Sequence, residues 1–209
     1  DLIYNLNPSN GALNYSIAAP PEVPQVTGVV YQWNAGDELF INDWASGTDV
    51  WKYSGAVWSN AFPNIWAEPR GMDMDDTGYI WGQDAADRVL YRCDQTGGDV
   101  TSWAMPECPA SYSCGIAVFP FGPNLGIVIG GYSWTDFYFY EYDGANLTFL
   151  GSAPIFQSVS GSYGLTYSNN TDSFFWIYRD VSIYHITEFT AVIETPLQRD
   201  TWGGIKATF

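Results

Sequence analysis

Positive charge is scarce in this sequence. Lys and Arg together number 7 against 23 Asp and Glu, with one His, for a net charge of -16 and a pI near 4.1. Such a surface repels phosphate backbones and anionic headgroups, which excludes nucleic acid and bare membranes as partners. No run of 18 apolar residues is present, so no segment reads as a membrane-spanning helix. The start, Asp1-Leu2-Ile3-Tyr4, lacks the basic and then apolar character of a signal peptide, and the chain reads as mature or trimmed. Three cysteines are too few for a disulfide scaffold, and a lone histidine serves neither a zinc site nor a Ser-His-Asp relay well. Helical patterning is missing as well. With no helix to open, no glycine-rich phosphate loop can be placed.

Aromatic residues are abundant: 10 Trp, 15 Tyr and 12 Phe make up 18% of the chain, while charged residues make up only 14%. That is the opposite of an acidic disordered segment, and aromatic side chains suit a pleated, half-buried surface. At 209 residues the chain reads as one domain. A chain of this size buries roughly 70% of its unfolded surface, enough for a core without metal or cross-links.

Two patterns repeat along the chain. A Gly followed by alternating residues recurs at Gly28-Val29-Val30-Tyr31, Gly71-Met72-Asp73-Met74, Gly115-Ile116-Ala117-Val118, Gly164-Leu165-Thr166-Tyr167 and Gly204-Ile205-Lys206-Ala207, at spacings of 43, 44, 49 and 40 residues. An apolar-aromatic-polar-apolar pattern recurs at Ile3-Tyr4-Asn5-Leu6, Val50-Trp51-Lys52-Tyr53, Leu90-Tyr91-Arg92-Cys93, Phe139-Tyr140-Glu141-Tyr142 and Ile183-Tyr184-His185-Ile186. Apolar runs of strand length separate the two, such as Leu39-Phe40-Ile41 and Phe174-Phe175-Trp176-Ile177, and turn residues with a further short strand follow. Each repeat therefore predicts four strands, A to D, and a unit of this length reads as a propeller blade.

The segments Pro69-Arg70-Gly71-Met72-Asp73-Met74-Asp75, Gly78-Tyr79-Ile80-Trp81 and Leu90-Tyr91-Arg92-Cys93-Asp94 resemble the secreted NHL, YVTN and gluconolactonase-like β-propellers. The resemblance spans nearly the whole chain and implies the blade fold. It differs from the usual six or seven blades of that group, and a blade motif does not specify an activity.

The expected fold is thus all-β: a five-bladed propeller of four-stranded antiparallel blades at 22–66, 67–107, 108–153 and 154–199, with a fifth made from 200–209 and 1–21. This fifth blade, shared by the N- and C-terminal strands, lacks one strand. Strand A is expected at Trp202 to Phe209 and strands C and D at Leu2 to Ile17, leaving no strand B. Residues of a longer chain, a strand from a neighbouring subunit, or direct pairing of A with C would each resolve the gap.

Cys93 shares an apolar slot with Tyr53 and Tyr142 and reads as a buried small hydrophobe. Cys108 and Cys114 flank a short loop and are expected to form a disulfide. Acceptor motifs for N-glycans occur at Asn14, Asn146 and Asn169. Together these point to a secreted or cell-surface glycoprotein.

No catalytic residues emerge. His185 aligns with Asn5, Lys52, Arg92 and Glu141, a slot that accepts any polar residue. Asp73-Met74-Asp75-Asp76-Thr77-Gly78 superficially matches a calcium loop, but strands flank it, and it reads better as an A–B turn, with Ca2+ kept as an alternative. The B–C and D–A loops should share one face, carrying Asp43, Trp44, Trp66, Asp84, Trp134, Arg179 and Asp180. Trp beside carboxylates suits sugar recognition by stacking and directional hydrogen bonds, although blade packing consumes most propeller aromatics. The leading expectation is a non-enzymatic extracellular structural or adhesive subunit that self-associates as a homo-oligomer or filament through its incomplete blade. A carbohydrate-binding propeller and a gluconolactonase-like metal-dependent hydrolase are the alternatives.

Overall fold

The computed structural model describes residues 1–7, 9–32, 38–44, 49–85, 87–157, 159–192 and 206–208. Among these residues there is no helix, and every strand pairing is antiparallel. A hairpin of β1 (Leu2–Leu6) and β2 (Leu13–Ala18) opens the chain. Sheet 1 follows with β3 (Val26–Gln32), β4 (Glu38–Asp43), β5 (Asp49–Ser54) and β6 (Val57–Pro63). Sheet 2 comprises β7 (Pro69–Met74), β8 (Ile80–Asp84), β9 (Val89–Cys93) and β10 (Thr101–Ala104). Sheet 3 is β11 (Ser113–Phe121), β12 (Asn124–Gly131), β13 (Asp136–Tyr142) and β14 (Leu147–Pro154). Sheet 4 is β15 (Gly161–Ser168), β16 (Ser173–Asp180), β17 (Ile183–Val192) and β18 (Lys206–Thr208).

In each four-stranded sheet the strands lie in chain order, so every unit is a meander. The inner strands meet in sequence, β3 beside β7, β7 beside β11 and β11 beside β15. The core is correspondingly divided into layers between successive sheets. Phe40, Val50 and Phe62 of sheet 1 meet Met72, Ile80 and Cys93 of sheet 2. Trp81 and Leu90 of sheet 2 meet Ile127, Tyr140 and Tyr142 of sheet 3. Phe137 and Phe139 of sheet 3 meet Trp176, Tyr178 and Phe189 of sheet 4. Face-to-face packing of small meanders around inner strands is the propeller arrangement.

The repeated glycines mark the points of closest approach. All four inner strands have a register shift at or beside this glycine, between Val26 and Gly28, Pro69 and Met72, Ser113 and Gly115, and Ser162 and Leu165. A Cβ on Gly28 would stand 2.5 Å from the Arg70 carbonyl oxygen, one on Gly71 2.5 Å from that of Cys114, and one on Gly115 2.8 Å from Leu165. Any side chain there would push the next sheet away from the axis. Polar staples tie the same junctions together. Asn42 donates to the Arg70 carbonyl at 3.0 Å, and the Val118 N–H donates to the Asp73 carboxylate at 2.8 Å.

The expected five-bladed ring is corrected at its fifth member. The described residues form four four-stranded sheets and one two-stranded hairpin. The C-terminal segment does not join the N-terminal strands: β18 pairs with β17, Thr190 opposite Thr208, as the outer strand of sheet 4. Positions 202–205 and 209 of the expected inner strand lie outside the described residues. The hairpin does sit where strands C and D were expected, against the outward face of sheet 1. Ile3 and Ala19 pack with Val23, Leu39, Ile41, Trp51 and Trp58, and the Trp58 indole donates to the Ala18 carbonyl at 2.8 Å.

Candidate functional site

None of the residues expected to recognise a ligand on the B–C and D–A loops lines the cavity described below. Asp43 and Asp84 are buried at the ends of their B strands. Asp43 accepts from the Gln25 N–H at 3.2 Å, and Asp84 accepts from the N–H groups of Ala67 at 2.8 Å and Glu68 at 3.1 Å. Each carboxylate thus ties the segment entering an inner strand to the neighbouring strand end, a structural role. Trp66 is buried over Gly82 and edge-on to Tyr91, and Trp134 is buried over Gly131 with its indole donating to the Ser111 carbonyl at 2.5 Å. Of the expected recognition aromatics only Trp44 is exposed, with the Arg70 guanidinium 4.8 Å from its ring centroid. Arg179 reaches the Tyr132 hydroxyl at 3.1 Å and lies 5.8 Å from the Tyr163 ring, while Asp180 is exposed.

The expected Cys108–Cys114 disulfide is also corrected. Both are free thiols. Cys108 is buried in the layer between sheets 2 and 3, its sulfur 3.2 Å from the Tyr140 hydroxyl, whereas the Cys114 thiol donates to the Tyr112 carbonyl at 3.4 Å on the inner strand. Burial pushes the Cys108 thiol up to about 12 and that of Cys114 to about 11, so neither is a ready nucleophile. Cys93 is fully buried, as its slot predicts. His185 stacks on Tyr178, centroids 5.0 Å apart, on the face toward sheet 3. Asn14, Asn146 and Asn169 are all exposed.

A cavity of about 560 Å³ lies at the opposite end of the inner strands, beside the A–B turns of sheets 2, 3 and 4. All four inner strands line it: Gln32 from β3, Asp73 and Met74 from β7, Val118 and Phe119 from β11, and Thr166 and Tyr167 from β15. Asp75 and Asp76 continue from β7, and Asn169 and Asn170 from β15. Asp75 builds the turn: one oxygen accepts from the Thr77 and Tyr79 N–H groups at 2.9 and 3.1 Å, and the other from the Trp81 indole at 2.8 Å. This is the expected A–B turn. Asn169 reaches across the mouth to the Asp76 carboxylate at 3.5 Å.

Asp73 is the unusual group. Desolvation, with a smaller contribution from the Asp75 charge, pushes its carboxyl up to about 7 against the lowering effect of the Val118 and Met74 N–H groups. Where Asp73 stands, two residues after a blade glycine, the other three inner strands place Val30, Ala117 and Thr166, and the fifth copy of the pattern has Lys206. A carboxylate in a register that is uncharged in the other three inner strands was the legible signal for this site, and reading the segment as a turn alone hid it.

No known family profile matches the sequence, and no curated protein is similar to it. Solved structures do match. Against a nidogen/laminin complex the TM-score is 0.63 at 13% identity, covering 89% of this chain and 69% of that one. Against a catalytically inactive virginiamycin B lyase from Staphylococcus aureus with quinupristin it is 0.55 at 18% identity, covering 93% and 64%. The blade-repeat fold is shared. A gluconolactonase from Xanthomonas campestris matches with a TM-score of 0.52 at 15% identity, covering 80% of this chain and 59% of that one. The chain thus spans between about three-fifths and seven-tenths of these structures' lengths. They include a lyase, a gluconolactonase and a nidogen/laminin complex, and at these identities the likeness is one of fold alone.

Proposed function

We propose that the chain is a non-enzymatic propeller subunit that associates head to tail with further copies of itself, stacking sheet 4 of one copy on the hairpin end of the next. One observation carries this reading. The face that sheets 1, 2 and 3 bury under the following sheet is not covered on sheet 4 by any of the described residues, and Ile177, Tyr184 and Ile186 there are 37%, 61% and 55% exposed. Ile177 pairs with Ile186, and Tyr184 with Arg179, so these side chains form one continuous patch. At the other end Leu2 and Tyr4 of the hairpin are exposed, and Val29 of β3 is exposed as well. Neighbouring exposed apolar groups of this kind mark contact surfaces. A patch at one end meeting a different patch at the other gives a heterologous contact, which builds a closed ring or an open filament.

The reading extends to location. Exposed Asn14, Asn146 and Asn169 suit an extracellular glycoprotein, which deglycosylation with a mass readout on the native material tests. For assembly, sedimentation velocity from micromolar to millimolar concentration is expected to show a growing series of species, with Ile186→Glu leaving monomers. A monomer throughout that range refutes the proposal.

A second reading, carbohydrate binding, draws support from the exposed Trp44 ring with Arg70 beside it. Glycan-array binding abolished by Trp44→Ala is its test, and an array without signal removes it.

A further inference from the structure

We propose that Tyr132 and Tyr163 are a site of oxidative cross-linking, joined by a carbon–carbon dityrosine bond that staples sheet 3 to sheet 4. Tyr132 follows the end of β12 and Tyr163 lies in β15, and their rings meet edge to face with centroids 5.5 Å apart. Gly161 makes this approach possible. A Cβ there would stand 2.7 Å from Tyr132 Cε2 and 3.1 Å from the Tyr163 hydroxyl. A ring carbon of one residue and the phenol oxygen of the other therefore lie beside the same point. Cε, next to the carbon that carries the hydroxyl, is where oxidised phenols couple.

Edge-to-face contact between rings is ordinary packing. This contact differs in joining phenol to phenol and in being open to solvent, since both residues are only partly buried. Arg179 of β16 holds the pair from one side: its guanidinium donates to the Tyr132 hydroxyl at 3.1 Å and lies 5.8 Å from the Tyr163 ring centroid. Tyr184 of β17 adds a third phenol, 5.5 Å from Tyr163 between centroids. Burial and hydrogen bonds with the Tyr132 and Tyr184 hydroxyls push Tyr163 up to about 12. It is a neutral phenol in neutral solution, so its oxidation releases a proton along with the electron. Of the two neighbours Tyr132 is the assigned partner, because the guanidinium and the Gly161 backbone fix its position, whereas Tyr184 is 61% exposed. Reacting groups already held together need no further encounter.

The oxidant required is a peroxide used by a haem peroxidase. Each phenol gives up one electron and one proton, and the two radicals join Cε to Cε. The hydrogens left on those carbons move to the oxygens and restore both phenols. Hydrogen peroxide takes up the two electrons and two protons and leaves as two molecules of water, so the chain loses two hydrogens.

Treatment of the full chain with haem peroxidase and hydrogen peroxide, at a concentration where it is monomeric, tests this independently of any association between copies. The expected product is a monomer lighter by two hydrogens, with dityrosine fluorescence. Digestion at aspartate puts Tyr132, Tyr163 and Tyr184 on separate peptides, and the cross-link is expected between the first two. The yield should fall at least tenfold in Tyr132→Phe and in Tyr163→Phe, which keep the rings, and stay unchanged in Tyr15→Phe, which removes an exposed phenol of the hairpin. Cross-linked chain should also melt at a higher temperature than untreated chain, as a covalent tie between sheets requires. Absence of the lighter monomer, a bond mapped to Tyr184 or to any other pair, undiminished yield in Tyr132→Phe, or equal yield from the urea-unfolded chain overturns the proposal.

Discussion

Asp73 places an ionisable group where the fold otherwise puts uncharged side chains, and its pH behaviour follows from the sign of its shift. A carboxyl whose native value of about 7 lies above its ordinary 3.8 holds its proton more tightly in the folded state. Its protonation therefore favours folding at low pH, and that contribution is lost as the pH rises from about 4 through about 7. Replacing it by a neutral isostere removes the loss. Asp73→Asn should match the wild type near pH 4 and exceed it at pH 8 by about 1–2 kcal/mol, the full shift being reduced by water at the cavity wall. For a chain of this length that is roughly 2–4 °C in melting temperature per kcal/mol. Melting curves at the two pH values check it, and a wild type that gains on the variant with rising pH contradicts it.

The residue scale also shows which side chains could be read in advance. Cys93 was legible because its slot is apolar in neighbouring repeats, and slots report burial. Trp66 and Trp134 were not, because a Trp in a loop looks the same whether it lines a ligand site or folds back over a glycine. Here Gly82 and Gly131 supply the flat floor that lets each indole lie down. A glycine near the end of strand B is therefore the sequence signal that turns a recognition Trp into a packing Trp.

At the level of elements, the inner-strand glycines separate a steric requirement from a merely repeated letter. A Cβ at Gly71 would meet backbone oxygen at 2.5 Å, while one at Gly164 would meet the Ile177 side chain at 3.4 Å, an ordinary contact. Neither has a positive φ, so backbone strain does not enter the comparison. Gly71→Ala should cost about 1–3 kcal/mol, as overpacking typically does. Gly164→Ala should stay within about 0.5 kcal/mol, as surface changes usually do. Urea midpoints of the two variants at a concentration where the chain is monomeric measure the contrast directly, and equal losses would mean that the glycine sets strand geometry in place of sheet spacing.

Strand order within each unit was legible because turn residues and apolar runs alternate in step with the meander. What each terminal strand pairs with was not. Lys206-Ala207-Thr208 follows a Gly and alternates like an inner strand, yet it lies at the outer edge of sheet 4. Alternation fixes the faces of a strand and says nothing about its neighbour. The fourth repeat shows the matching weakness, a slip of one residue. His185 was aligned with Arg92, whose guanidinium lies near Trp81 and Tyr142 in the layer toward sheet 3, the following sheet. His185 instead stacks on Tyr178 in the layer toward the preceding sheet, which leaves Tyr184 and Ile186 outward. With a period of two, a one-residue offset reverses every side chain.

For the whole molecule, charge and the exposed apolar groups at its two ends would act against each other in the proposed head-to-tail association. A net charge of -16 on 209 residues makes copies repel at long range, whereas burial of Ile177, Tyr184 and Ile186 favours contact at short range. Salt weakens the first and leaves the second, because screening shortens to a few ångströms by about 1 M while apolar burial persists. Head-to-tail association should therefore strengthen as sodium chloride rises from about 0.01 M to 1 M, opposite to the trend for a contact held by ion pairs. Gly164→Ala adds a further handle: it should leave monomer stability intact yet weaken association, because Gly28, Gly71 and Gly115 show how closely the next sheet approaches at this position. Light scattering across the salt series, with wild type and Gly164→Ala side by side, measures both effects. Association that falls with salt, or that is indifferent to a methyl group at position 164, places the contact on some surface other than the open face of sheet 4.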